Sequence, residues 1–129
     1  MGIVSSYGTV ELVQKVVSVE EDQDNQSLFV QVDNATRGGA KTQTYALNTG
    51  ETYRIYAVGD QQRIRDIDLA VYSPSGSYII EDSDSSNIAL VQFAARSTGY
   101  YTLKITPYSM TSGIRDGFYG LVVVRVAGN

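Results

Sequence analysis

The feature that most constrains the fold of this chain is a strand-like alternation followed at once by a turn sequence. Apolar residues alternate with polar or small ones from Asp66 to Tyr72, as in a β-strand with one buried face. Ser73-Pro74-Ser75-Gly76 then places Pro and Gly where a β-turn favours them. The sequence therefore predicts a β-hairpin that brings Asp68 opposite Glu81 or Asp82.

The same alternation recurs along the chain, and turn signals separate the segments at roughly ten-residue intervals. The predicted strands are residues 10–19, 28–33, 42–47, 53–57, 66–72, 88–94, 101–105 and 118–126, with residues 107–117 as a long loop. No segment suggests a capped helix, so we expect an all-β, antiparallel β-sandwich of about eight or nine strands. The predicted core is Ile55, Ile67, Leu69, Val71, Val91, Phe93, Tyr101, Leu103, Ile105, Leu121 and Val123.

Acidic side chains gather at one end of this predicted sandwich. If each strand crosses its sheet fully, the loops around residues 60, 84 and 112 share one pole. Like charges facing each other repel, so a cation is expected to compensate them, and carboxylate and carbonyl oxygens suit Ca²⁺. The alternative is a solvated acidic loop without metal. The candidate calcium ligands are Asp66, Asp68, Asp82, Asp84, Asn87 and Asp116.

Composition limits the remaining functions. The 129 residues suit a single domain, and a formal charge of −4 without a basic stripe argues against nucleic acid as a partner. No apolar run approaches the roughly 18 residues needed to span a bilayer. The chain has no His and no Cys, which removes the commonest general base and nucleophilic triads. Carboxylate chemistry alone needs an aromatic-lined cleft, and the chain has no Trp, so we do not expect an enzyme.

The ten tyrosines allow two interpretations. Tyr101 and Tyr119 have apolar neighbours in strands and are expected in the core. Tyr56, Tyr72 and Tyr100 fall on the opposite phase of their strands and could form an exposed strip for a sugar or a protein partner. Core and rim positions are the preferred interpretation, because tyrosine is common in β-sheets without any binding role.

Residues 42–126 resemble the bacterial pre-peptidase C-terminal domain family. The resemblance is carried by the ordered set Tyr45-Ala46-Leu47-Asn48-Thr49-Gly50-Glu51-Thr52-Tyr53, Asp66-Ile67-Asp68-Leu69-Ala70-Val71-Tyr72, Ser73-Pro74-Ser75-Gly76, Ser97-Thr98-Gly99-Tyr100-Tyr101-Thr102-Leu103-Lys104-Ile105 and Tyr119-Gly120-Leu121-Val122-Val123. It implies a jelly-roll-like sandwich that is secreted, non-catalytic and usually appended to exported hydrolases. The family is similar to the collagen-binding modules of bacterial collagenases, which bind calcium largely through a segment before the sandwich. Here that counterpart is the acidic run at residues 20–24.

Residues 1–35 extend this family-like core and are rich enough in Val and Leu to supply two more strands. Such strands either pair within their own sandwich or add to the sheet edge of a neighbouring copy. The leading hypothesis is therefore a non-catalytic structural protein, extracellular or at the cell surface, that binds calcium and self-associates into a surface layer or filament. The alternative is a secreted targeting module for carbohydrate or a matrix protein.

Overall fold

The computed structural model describes residues 7–128. These residues form one α-helix followed by eight β-strands. The elements are α1 (Tyr7–Asp22), β1 (Gln26–Thr36), β2 (Lys41–Leu47), β3 (Thr52–Gly59), β4 (Ile64–Tyr72), β5 (Tyr78–Asp82), β6 (Ile88–Ala94), β7 (Gly99–Met110) and β8 (Asp116–Arg125). Within these residues, no helix combines the length and the apolar character needed to cross a membrane.

The strands form two four-stranded antiparallel sheets with nested pairing. The back sheet has the order β1-β8-β3-β6, and the front sheet has the order β2-β7-β4-β5. The first strand pairs with the last, the second with the seventh, the third with the sixth and the fourth with the fifth. This is the pairing of a long hairpin wrapped into a jelly roll. The predicted all-β sandwich with about eight strands is confirmed.

The core lies between the two sheets and follows the predicted period-2 pattern. Ten of the eleven predicted core residues are buried, and the eleventh, Phe93, is partly buried against the same cluster. Phe93 remains partly open because β6 is an edge strand of the back sheet. The predicted loop at residues 107–117 is shorter than expected, because β7 continues to Met110.

The prediction of a strand at residues 10–19 is wrong, because these residues belong to α1. Thr9, Val13 and Glu20 are buried and Val16 and Val17 half-buried, which is the i, i+4, i+7, i+8, i+11 spacing of one helix face. The N-terminal extension thus supplies a helix and β1 rather than two strands. Residues 1–6, which were also considered for pairing with a neighbouring copy, lie outside the described residues.

The helix packs on the outer face of the back sheet, against β8, β1 and β3. Val13 joins Val122 and Val124 in a second, smaller apolar cluster there. A Cβ atom added at Gly120 would lie 2.1 Å from Cγ2 of Val13, so the absence of a side chain on β8 lets the helix approach closely. The helix is therefore part of the folded unit, although the main core is complete without it.

Candidate functional site

The loops predicted to share one pole do meet. Loops 60–63, 83–87 and 111–115, here called the acidic pole, are joined by backbone hydrogen bonds. Gly59 N donates to Asn87 O at 2.7 Å, and Thr111 N donates to Arg63 O at 3.0 Å. The turns at residues 73–77 and 95–98, here called the turn pole, lie at the opposite end of the strands.

Three of the predicted calcium ligands instead hold these loops together through an ion pair or hydrogen bonds. Asp116 forms an ion pair with Arg63 at 2.9 Å. The Asn87 side-chain amide donates to Gly59 O at 3.0 Å. Asp82 accepts hydrogen bonds from the backbone N–H groups of Asp84 at 3.0 Å and Leu90 at 2.8 Å. These contacts give each of the three side chains a structural role that needs no metal.

The hairpin register also differs from the prediction by one residue. Asp82 pairs with Leu69 and Glu81 with Ala70, so neither acidic residue stands opposite Asp68. A register irregularity between Val71 and Tyr72 accounts for the difference. Because side chains alternate between the two faces of a sheet, this one-residue shift places Asp82 on the opposite face from Asp68.

Asp66 and Asp68 are the two predicted ligands that lie next to each other and are not used to hold the loops together. They pair across β4 and β7 with Ser109 and Thr106, respectively. The Oδ1 atom of each is buried and accepts no hydrogen bond. Burial raises the pKa of Asp68 to about 6, and the negative charge of Asp66 adds to this shift. The pair is therefore electrostatically unfavourable when both carboxylates are charged.

Among residues 7–128, no three acidic, histidine or cysteine side chains converge on a point where they would hold a metal ion. The structure brings Asp66 and Asp68 together but leaves Asp82, Asn87 and Asp116 engaged elsewhere, with Asp84 exposed in its loop. Two carboxylates are fewer than the six to eight oxygen ligands that Ca²⁺ takes, so protein carbonyls, water or a second chain would have to complete the shell.

The front sheet carries a second candidate site on its outer face. Because α1 packs against strands of the back sheet, the helix leaves this face uncovered. Tyr72 and Tyr100 both lie on it, since their neighbours Val71 and Tyr101 point into the core. Tyr78, which the sequence did not single out, is 60% exposed and packs its ring against Tyr72 with centroids 6.3 Å apart.

Cross-strand register organises this face into rows. One row crosses all four strands in the order Thr44, Thr102, Tyr72, Tyr78. The adjacent row has the order Thr42, Lys104, Ala70, Glu81. At the usual strand separation each row is about 14 Å long. The result is a flat surface with hydroxyl groups on one side and aromatic rings on the other, named here the tyrosine face.

Tyr56 does not belong to the tyrosine face. It lies on the back sheet beneath α1, where its hydroxyl donates to the carboxylate of Glu20. Burial raises its pKa to about 12, and the hydrogen bond to Glu20 reinforces the shift. The predicted strip of three tyrosines therefore divides into two on one sheet and one on the other.

Glu20 is the buried charge that sequence reasoning missed. It is 1% exposed, and its carboxylate accepts hydrogen bonds from Arg54 Nη1 at 2.6 and 2.7 Å and from Asn25 Nδ2 at 2.7 Å. Burial alone would raise the pKa of Glu20, but the bonds donated by Arg54, Tyr56 and Asn25 hold it below its ordinary value. The signal in the sequence was the position of Glu20 on the same helical face as Val13 and Val17.

Comparison with known proteins places this architecture among solved structures. No protein-family model and no curated protein matches the sequence. The fold is similar to that of a periplasmic inhibitor of g-type lysozyme from Aeromonas hydrophila, with a TM-score of 0.54 and 14% identity over 78% of this chain and 85% of that one. It is also similar to the pre-peptidase C-terminal domain of collagenase from Bacillus anthracis, with a TM-score of 0.52 and 18% identity over 72% of this chain and 87% of that one. The resemblance predicted from the sequence is confirmed as a likeness of fold.

Proposed function

We propose that this protein is a non-catalytic binding domain of the cell exterior or envelope, and that it holds an extended carbohydrate or matrix-protein partner on the tyrosine face. The observation that carries the proposal is the contrast between the two sheets: a helix of the same chain packs on the outer face of the back sheet, over β8, β1 and β3, and leaves that of the front sheet open. Tyr72, Tyr78 and Tyr100 lie on the open face.

The chemistry of the tyrosine face suits an extended polymer. Tyrosine rings offer large apolar area together with a hydroxyl group, which is why they recur in binding surfaces. The threonines at 44 and 102 add hydroxyl groups in the same row as Tyr72. Lys104 and Glu81 flank the small side chain of Ala70 in the adjacent row, so the face can also pair with charged groups.

Two further facts support a role in binding rather than catalysis. The chain has no histidine or cysteine to serve as a base or nucleophile. One of the similar structures is an inhibitor of an enzyme, the g-type lysozyme. An exterior or envelope location is in keeping with that protein, which is periplasmic.

Cosedimentation with insoluble collagen, chitin and peptidoglycan tests this proposal. We expect one of these polymers to retain the protein, and Tyr72→Ala or Tyr100→Ala to weaken retention at least about tenfold, as truncation of a central aromatic contact does. Leu90→Ala is the matched control, because Leu90 is also a large, exposed hydrophobic residue but lies on the back sheet. Retention by none of the polymers, or unchanged retention of both tyrosine variants, would contradict the proposal.

A second candidate function is calcium-linked self-association into a surface layer or filament. One specific observation favours it: Asp66 and Asp68 each present a buried oxygen without a hydrogen-bond partner. A divalent cation bound there would relieve their repulsion and accept its missing oxygen ligands from a second chain. This candidate ranks second because residues 10–19, which were predicted as a strand able to pair with a neighbouring copy, belong to a helix docked on its own sheet.

A further inference from the structure

A cavity of about 450 Å³ opens at the turn pole, on the side of the sandwich where β5 and β6 are both edge strands. It is lined by the end of β4, the start of β5, the end of β6, the turn at 95–98 and the start of β7. Its size falls in the range of small-molecule and side-chain pockets, about 300–1,000 Å³. It is distinct from the acidic pole, which lies at the other end of the strands.

The frame of the cavity is built from contacts that fix its shape. A Cβ atom added at Gly99 would lie 2.8 Å from Cγ of Pro74, so the two hairpin turns pack directly against each other. The Tyr101 hydroxyl donates to Ser97 O at 2.7 Å and ties the second turn to β7. Ser73 Oγ accepts from Ser77 N at 3.1 Å and closes the first turn. The cavity is therefore formed before any ligand arrives.

Apolar and aromatic side chains make up the body of the cavity. Phe93 and Ile79 line it and are only half-buried, because the two edge strands leave the sandwich open at this seam. The ring of Phe93 lies 5.9 Å from that of Tyr101 and 6.4 Å from that of Tyr53, so it is held in an aromatic cluster. An aromatic or branched apolar group entering here would extend this cluster and be removed from water.

Arg96 places a positive charge at the rim of this apolar body. Its guanidinium forms no hydrogen bond or ion pair with residues 7–128, unlike those of Arg54 and Arg63, which are matched to Glu20 and Asp116. The cavity lining contains no acidic residue. In a chain with a formal charge of −4, this is a cation with no partner among the described residues, and it lies beside exposed aromatic surface. A carboxylate matches the guanidinium fork in both charge and geometry.

We infer that this pocket, named here the Arg96 pocket, binds an apolar, preferentially aromatic, group that carries a carboxylate a few bonds away. The ring packs against Phe93 and Ile79, and the carboxylate pairs with Arg96 and the hydroxyl of Ser97. The same chemistry occurs in a free aromatic carboxylic acid and in the C-terminal residue of a peptide. This site adjoins the tyrosine face and shares Tyr78 with it, but Tyr72 and Tyr100 do not line the pocket.

The test is an NMR titration of the full chain with N-acetyl-L-phenylalanine and, in parallel, with its primary amide. We expect the acid to shift the signals of Phe93, Arg96 and Tyr101 saturably and the amide to bind at least tenfold more weakly. Arg96→Gln should abolish this difference between acid and amide. Arg65→Gln is the matched control, because Arg65 is an exposed arginine on β4 outside the pocket and its loss changes the net charge equally.

A variant that fills the pocket separates binding from general damage. Ser97→Phe places bulk at the exposed rim, and the backbone carbonyl that accepts from Tyr101 is retained. We expect an unchanged melting temperature and loss of the titration shifts. A tetrapeptide ending in Phe that binds more tightly than the free acid would identify a peptide terminus as the source of the ligand, and equal affinity would identify a free acid. Equal affinity of acid and amide for the unmodified protein, or an unaltered preference in Arg96→Gln, would overturn the inference.

Discussion

Asp66 and Asp68 show at the scale of single residues how burial changes the chemistry of a carboxylate. Both Oδ1 atoms are shielded from water without gaining a hydrogen bond, and an unpaired buried charge is costly. The pKa of Asp68, about 6 compared with an ordinary 3.8, expresses that cost as a preference for the protonated form. The folded protein therefore favours the protonated form of Asp68, which prevails at low pH.

This raised pKa makes stability depend on pH in a defined direction. A carboxyl group with a raised pKa in the folded state contributes stability below about pH 4 that is lost as the pH rises through about 6. We therefore expect Asp68→Asn to be more stable than the unmodified protein at pH 7.5, by about 1–2 kcal/mol after allowance for partial solvent access. Urea denaturation between pH 4.5 and 8 measures it.

The control for this prediction is Asp84→Asn, because Asp84 is exposed in the same pole. It should follow the pH dependence of the unmodified protein. Parallel stability curves for Asp68→Asn and the unmodified protein would show that Asp68 carries no folding penalty. Millimolar calcium that stabilises the unmodified protein but not Asp68→Asn would favour a cation at this position.

Single positions also mark the limit of prediction from sequence. Leu69 and Leu103 were assigned to the core correctly, because alternation alone decides which side of a strand faces inward. The set of calcium ligands depended on cross-strand register and on which polar atoms the loops use for themselves. The one-residue shift at Val71 and the hydrogen bonds of Asp82 and Asn87 arise from the folded structure. They cannot be predicted from the local sequence pattern.

At the scale of elements, α1 is the segment whose type of secondary structure was predicted wrongly. Its valines favour strands as individual residues, because β-branched side chains lose freedom in a helix. The helical spacing of the buried face outweighs this preference once the back sheet offers a surface to cover. Turn chemistry and strand alternation are both local. For that reason seven of the eight strands were assigned from the sequence, and β5 was expected as the partner of β4 in the predicted hairpin, while the helix was not expected.

The close approach of α1 to β8 can be tested with a compensating pair of substitutions. Gly120→Ala introduces a Cβ atom into the position occupied by the Val13 side chain, so we expect a loss of about 1–3 kcal/mol. Val13→Ala removes the obstructing methyl groups. In the double variant the Gly120→Ala penalty should be smaller than in the single variant, a non-additivity that chemical denaturation detects. Strictly additive losses would contradict direct contact between these two positions.

The charged end of the helix offers a second test. Glu20→Gln leaves Arg54 without its carboxylate, and we expect a loss of about 2–4 kcal/mol in helix docking. Because the pKa of Glu20 is lowered in the folded state, the same stabilisation should disappear as the pH falls through that pKa. Hydrogen exchange of the amides in residues 9–20 reports docking directly. Glu21→Gln, one residue further and exposed, should leave these amides protected, and equal effects of both variants would refute a specific role for Glu20.

At the scale of the whole molecule, the prediction that separates the two candidate functions is the state of assembly. If calcium joins copies through Asp66 and Asp68, light scattering at high protein concentration should show growth in millimolar calcium and its reversal by chelator. Asp66→Asn with Asp68→Asn should then remain monomeric while keeping the strand-rich circular dichroism spectrum. A protein that stays monomeric under all these conditions is not an assembly unit, and the binding-domain proposal then stands alone.

The nested strand pairing also sets the order in which the chain is able to fold. β1 and β8 lie side by side, although Gln26 and Arg125 are 99 residues apart. β8 sits in the middle of the back sheet, between β1 and β3, so that sheet stays split until the final strand has been synthesised. The local β4–β5 hairpin is able to form first, and closure of the distant pair comes last and slowly. A growing or truncated chain that lacks β8 therefore exposes two unpaired strand edges, which makes this strand the position where premature termination leads to aggregation.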